Sequence, residues 1–365
     1  MPSASRQTSG SSRSSWSVRA ALAASALLVL TACAGTDADA GTVSEDGRTL
    51  VRYQGSSGSV TFPELAADLG YLEDVELDWV GDTTSGPQDI QSAATGETDV
   101  GSAFNGAVVK LATASAGITA VVSSYGSDDL SFTGYFTLEG SPITSPRDLI
   151  GKTVGMNTLG AHHESVVRSW LAQGGLTQEE IEQVELVVVP PINTEQALRE
   201  GQIDVGALGG VLREGAVERG GVTPLFTDTE LYGAFSYGTY VFRDSYIEEN
   251  PEAVEDFVQG TARAIRWTQV TPADEVRARY TSIIENRGRN ETTDLVQFWR
   301  SPGIGQPGGV IADDEISVWI DWLEENDLIE DGTFDDATEV YTNEYNPYSN
   351  GTFPADAGPD GEPLG

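Results

Sequence analysis

Short alternating apolar and polar runs exchange along this chain with stretches whose apolar residues recur every three to four positions. Thr49-Leu50-Val51-Arg52-Tyr53 has the two-residue period of a strand. After Gln54-Gly55-Ser56-Ser57-Gly58-Ser59, the residues Phe62, Leu65, Ala66 and Leu69 share one helical face, and Gly70 closes it. Val75 to Val80 alternates again, Asp89 to Thr95 reads as a short helix, and Val100 opens a third strand. The same order recurs from Lys152. Strand Thr153 to Met156, turn Asn157 to Gly160 and helix His162 to Gln173 are followed by strand Val184 to Val189, helix Glu195 to Glu200 and the run Ile203 to Leu208. Regular alternation of strand and helix predicts an α/β layer fold with largely parallel sheets.

A local repeat supports two similar halves. Gly96-Glu97-Thr98-Asp99-Val100-Gly101 matches Gly201-Gln202-Ile203-Asp204-Val205-Gly206, 105 residues later. In each, Gly caps a short helix, the chain reverses, and Asp-Val-Gly enters a strand. Phe132 to Leu138 and Ala234 to Phe242 alternate as strands and are the expected crossings between two lobes. Lobe one is then residues 48–138 and 235–349, and lobe two is residues 139–234. Helices are expected over Pro251 to Thr268, Pro272 to Glu285, Thr292 to Arg300 and Asp313 to Asn326, the first opened by Asn250-Pro251-Glu252. The Gly-, Pro- and Asp-rich end, residues 350–365, is expected to be disordered.

The start of the chain reads as an address. Residues 1–20 carry Arg6, Arg13 and Arg19 and no acid, and the apolar run Ala20 to Leu30 is too short to span a bilayer comfortably. Leu30-Thr31-Ala32-Cys33 resembles the bacterial lipobox, whose Cys is acylated and begins the mature protein. Residues 1–32 are thus expected to be a lipoprotein signal peptide, Cys33 the lipidation site, and residues 33–47 a flexible tether. The location implied is the extracytoplasmic face of the cell membrane, reached through the lipid anchor.

Composition narrows the chemistry. With 39% apolar residues among 365, the chain can build sizeable cores. A net charge of −37 argues against nucleic acid as a partner and against direct contact with an anionic membrane surface. Loss of the three signal arginines would take it to −40, a surface suited to a salty exterior. A single Cys excludes an internal disulfide, and two adjacent His without spaced Cys argue against a metal site. Only Lys110 and Lys152 could serve Schiff-base chemistry, so no cofactor is expected. Ser56, Ser57 and Ser59 do not form a nucleophile elbow, and Gly151-Lys152-Thr153 lacks the upstream glycine of a phosphate loop.

The body, roughly residues 48–325, resembles the substrate-binding lipoproteins of ABC importers, in the nitrate/sulfonate/taurine-binding group that includes thiamine-precursor binders. The resemblance rests on the two Gly-x-x-Asp-Val-Gly runs, on Asp148-Leu149-Ile150-Gly151-Lys152-Thr153-Val154-Gly155, and on Phe242 to Val254. It implies a two-lobed, type II periplasmic-binding-protein-like fold with a hinge. It also implies capture of a small organic solute, a sulfonate, carboxylate or similar, for delivery to permease subunits and their ATPase. Val205-Gly206-Ala207-Leu208-Gly209-Gly210 departs from the pattern, where an aromatic residue and Asp-Pro are expected, and this bears on the ligand class. The competing reading is a thiamine-pyrimidine-synthase-like enzyme of the same fold, which would need a Lys or His in the cleft and a pyridoxal cofactor. The export signal and the lack of a Cys cluster stand against it.

Open α/β sheets hold ligands beyond the carboxyl ends of their strands. That places Ser56, Ser57 and Gly58 after the first strand, Phe104 and Asn105 after the third, and Thr158, Gly160, His162 and His163 at the corresponding turn of the second half. Asn193 follows Val187-Val188-Val189. Asp82, Thr83 and Thr84 would line the rim, and Tyr125 and Tyr237 would supply aromatic walls or belong to the core. The glycines, hydroxyls and helix starts in these loops favour an anionic or electron-rich solute.

Overall fold

The computed structural model describes residues 43–114 and 116–364. The expected signal peptide, Cys33 and the first part of the tether lie outside the described residues. The first half contains β1 (Thr49–Gly55), α1 (Phe62–Leu69), β2 (Val75–Asp82), α2 (Gly86–Thr95), β3 (Val100–Phe104), α3 (Asn105–Thr113) and β4 (Ile118–Ser127). The second contains β5 (Thr133–Leu138), β6 (Thr153–Met156), α4 (His162–Gln173), α5 (Gln178–Ile181), β7 (Glu185–Val188), α6 (Pro191–Arg199), β8 (Val205–Gly209), α7 (Gly210–Arg219), β9 (Val222–Thr227) and α8 (Asp228–Tyr232). The chain returns through β10 (Phe235–Arg243) to α9 (Asp244–Glu249), α10 (Pro251–Val270), α11 (Ala273–Asn286) and α12 (Asp314–Glu325).

Local chemistry sets the element ends. Thr61 and Glu64 form a reciprocal capping box at α1, and Gly70, at φ 74°, closes it in the left-handed region. The first half is hydrogen-bonded as a two-stranded and a three-stranded sheet, the second as one five-stranded sheet. β1 and β2 pair in parallel, and β10 lies antiparallel between β3 and β4. The five-stranded sheet has the order β7-β6-β8-β5-β9, with β6 parallel to β7 and β8 and β5 antiparallel to both its neighbours.

The repeated Asp does the same work twice. Asp99 donates its N–H to Arg52 O at 2.9 Å, and its Oδ2 accepts from Arg52 N at 2.8 Å. Asp204 donates to Thr153 O at 3.0 Å and accepts from Thr153 N at 3.0 Å. Asp99 thus pins the turn after α2 onto β1, and Asp204 pins the turn after α6 onto β6.

Each sheet is covered by helices on both faces. Val51, Val122, Tyr240 and Phe242 pack with Phe257, Val258 and Ile265 of α10. On the other face, Phe104, Val108 and Val241 pack with Ile316, Trp319 and Ile320 of α12. In the second half, Tyr135 joins Met156, Val166 and Leu171, while the next residue, Phe136, points the other way to Leu198, Leu208 and Ala216.

Three expectations need correction. β5 pairs with β8 and β9, so residues 133–138 belong to the second sheet and do not end the first lobe. Its alternating Tyr135 and Phe136 each need cover from a different face of that sheet. Thr292 to Arg300 forms only a single 3₁₀ turn, Val296–Phe298, because Trp299 leaves helical geometry and Pro302 follows closely. The chain end, expected to be disordered, is docked: Arg266 Nε donates to Ala357 O at 2.7 Å, Tyr348 Oη donates to Gly358 O at 3.0 Å, and Ala357 is buried. Within the expected tether, Val43 bridges Thr49 around a turn at 44–47.

Candidate functional site

The carboxyl ends of strands from both halves converge on a cleft of about 730 Å3. Its walls are the β1–α1 loop with Ser56, Ser57 and Gly58, the β2–α2 loop with Asp82, Thr83 and Thr84, and the β8–α7 turn at Gly209 and Gly210. Tyr125 of β4 lines this cleft and an adjoining cavity of about 310 Å3, where His163, Tyr237, Phe132 and Thr194 also lie. The glycines at 209 and 210, where an aromatic residue was expected, leave this wall bare.

The serine loop is in the cleft, but its backbone donors are not all free. Glu291 accepts the Gly58 N–H, Ser56 Oγ donates to Thr83 O at 3.4 Å, and Thr61 with Glu64 caps α1. Glu291 is itself held by Arg287, which also pairs with Glu64 at 3.0 Å. Arg289 lies 2.7 Å from Glu64 and stacks over Trp79 at 4.3 Å. In the second half, Glu164 accepts the Gly160 N–H at 2.7 Å. One loop amide at each of these two places, that of Gly58 and that of Gly160, is therefore already on a carboxylate.

Several expected contacts lie elsewhere. Phe104 is buried against the edge of Trp319, at 4.6 Å between centroids, and lines neither cavity. Asn105 is fully buried and donates to Glu315 O at 2.8 Å. Thr158 and Gly160 sit outside both cavities; Asn157 lines the smaller one in their place. Asn193 is exposed on α6, whose first turn turns Pro191 and Thr194 to the cavity instead. His162 is buried behind the wall, stacked on Tyr237 at 3.8 Å and 6°, with Nε2 3.1 Å from Asp228 Oδ2. Of the two histidines, His163 reaches the cavity. Burial, and then the neighbouring His162, lower its pKa to about 3, against a smaller opposing pull from Asp228. Burial and Asp228 push the Tyr237 hydroxyl well above its ordinary value.

Asp89, on the first turn of α2, lines the larger cleft. Its Oδ2 accepts the Ser102 N–H at 2.7 Å, while Oδ1 has no partner. Burial raises its pKa to about 7, against the opposing Ser102 bond. Only a carboxylate in an otherwise ordinary first turn marks it in the sequence. Among the described residues no Lys or Arg lines either cavity. No group of three metal-ligating side chains occurs among the described residues, nor does any helix long and apolar enough to cross a membrane.

Two helix-covered α/β halves with a cleft at their strand ends define a periplasmic-binding-protein fold. The chain belongs to the NMT1/THI5-like family, whose model matches residues 60–275, more than half of its length. The alkanesulfonate-binding protein from Xanthomonas axonopodis pv. citri, solved with MOPS, shares the fold with a TM-score of 0.61 at 16% identity, over 80% of this chain and 98% of that one. The periplasmic nitrate-binding protein from Synechocystis PCC 6803 does so with a TM-score of 0.62 at 13% identity, over 83% and 88%. A 4-amino-5-hydroxymethyl-2-methylpyrimidine phosphate synthase from Candida albicans (strain WO-1) is 30% identical over 226 residues, 58% of this chain. The match spans 63% of that synthase's length.

Proposed function

We propose that this chain is the extracytoplasmic solute-binding lipoprotein of an ABC importer, anchored at Cys33, which captures a small organic solute in the cleft and delivers it to permease subunits. The observation that carries the reading is the cleft of about 730 Å3, walled by loops from both sheets and open to small molecules. In this reading the sheets act as lobes joined at residues 128–132 and 233–234, and the solute draws them together. The location is the outer face of the cell membrane. Solute in hundredfold excess over Kd should stabilise the protein by about 2.7 kcal/mol. Small-angle scattering should show a smaller radius with solute. An unchanged radius and melting temperature across organic anions, amines and heteroaromatics would sink the proposal.

The synthase likeness favours a second reading, an enzyme using pyridoxal chemistry. His163 is in the cavity, but Lys110 is exposed on α3 and Lys152 pairs with Asp204 at 3.4 Å. A pyridoxal absorbance band on the purified protein would favour the enzyme; a protein that closes on solute without such a band favours the importer.

A further inference from the structure

We infer that the solute carries an N–H-bearing cationic group, an amine or amidine, and that Asp89 is the residue that receives it. The inference rests on the solute-binding reading above and names its ligand class.

Asp89 is 5% exposed, lines the cleft and leaves Oδ1 without a donor. A buried carboxylate oxygen left unpaired is costly, and native proteins seldom keep one without a use. The neighbouring groups do not satisfy it: Ser102 N–H is spent on Oδ2, and Ser102 Oγ donates to Ser124 Oγ at 2.8 Å. Two more buried atoms on cavity-lining residues lack partners, Gln54 Oε1 and His163 Nδ1. Gln54 Oε1 can only accept, and the neutral imidazole of His163 can accept at Nδ1 in one of its tautomers. The unmet demand in this site is thus chiefly for donors.

The two cations near the site are held by other groups, with Arg213 Nε left without a hydrogen-bond partner. Arg289 is held by Glu64 and Trp79, and Arg213 lies over the Phe132 ring and donates to Leu130 O. An anion entering the cleft would meet Asp82 and Asp89 with no lining Lys or Arg among the described residues. An amine or amidine would meet two carboxylates, in a cleft that the aromatic side chains of Tyr125, Tyr240 and Trp299 also line. The raised proton affinity of Asp89 comes from its burial and fits a carboxyl with one oxygen left without a donor.

Calorimetry with benzamidine and benzylamine, set against benzenesulfonate and benzoate, tests the class on the mature chain. The nitrogen probes should bind more tightly than the anions. Asp89→Asn should weaken the nitrogen probes about tenfold or more while leaving the anions unchanged. Circular dichroism and the melting temperature verify that the variant folds. Asp89→Glu, which keeps the charge, should retain the preference for nitrogen probes. Tighter binding of the anions with closure overturns the ligand class and leaves the solute-binding reading standing. Equal affinity of wild type and Asp89→Asn for benzamidine overturns the role of Asp89. If neither series binds, the ligand class fails, and the radius measured with the wider solute panel decides the importer reading separately.

Discussion

His162 Nε2 stands 3.1 Å from Asp228 Oδ2, and both side chains are buried. The same carboxylate accepts Ser127 Oγ at 2.6 Å and Thr133 N–H at 3.1 Å. Ser127 ends β4 and Thr133 begins β5, so one carboxylate holds both sides of the segment through which the chain passes from the three-stranded sheet to the five-stranded one. Asp228→Ala should lower stability by at least about 2 kcal/mol, since it strands several buried donors. Chemical denaturation measures that loss. If the segment is a hinge, the radius of the solute-free protein should also become more variable in scattering, and an unchanged profile would argue that the contact is purely structural.

Asp89 and His163 should give opposite pH dependences. The Asp89 carboxyl is raised from 3.8 to about 7, so between those values the native state binds the extra proton and stability falls as pH rises. His163 is lowered from 6.5 to about 3, so the unfolded state binds the extra proton and stability rises with pH in that window. Relative to wild type, Asp89→Asn should make the stability slope more positive by about 1.4 kcal/mol per pH unit between about pH 4 and 6.5. His163→Asn should shift it by a similar amount in the negative direction. Urea titrations at several pH values measure both slopes.

Arg287 bonds Glu64, Glu291 and Ser59 O, and it fastens the 287–291 segment to the serine loop. Removing it leaves two carboxylates buried without their shared cation. Arg287→Ala should cost about 3–5 kcal/mol. Solute affinity should fall with it, because Glu291 would no longer be held on Gly58. A variant of wild-type stability would show that the network is replaceable.

Gly238 lies under the ring of Tyr125, where an added Cβ would come within 2.2 Å of the ring. Tyr125 lines both cavities, so the ring cannot move without changing their shape. Gly238→Ala should therefore destabilise by about 1–3 kcal/mol and weaken solute binding. Parallel denaturation and calorimetry test the pair of effects; loss of stability with intact affinity would place Tyr125 outside the ligand contact.

Cys33→Ala should leave the chain unprocessed or release it from membranes, because stable attachment depends on acyl chains at that position. Membrane fractionation and mass measurement of the mature end read the outcome. Normal processing with undiminished membrane retention would refute the lipobox reading.

The alternation of strand and helix over residues 49–100 and 153–208, and the repeated Gly-x-x-Asp-Val-Gly turn, were legible in the sequence. One-sided burial leaves a period along the chain, and a cap or a left-handed glycine is a local event. His162 to Gln173 was legible as a helix to its ends, and the serine loop lies at the cleft. Which residues face the cleft was set by tertiary packing. Phe104 and Asn105 follow a strand as a ligand contact would, yet α12 covers them with Trp319 and Glu315. The backbone N–H of Gly58 is taken by a carboxylate 233 residues away, and the partner of His162 is 66 residues away. Asp89 looks in sequence like any acid in a first helical turn, and its distinction comes from the strand and cleft that enclose it. Periodicity reports what a residue does to its own element. Whether a donor or carboxylate is spent or free depends on groups brought to it from distant parts of the chain, and no local pattern records that.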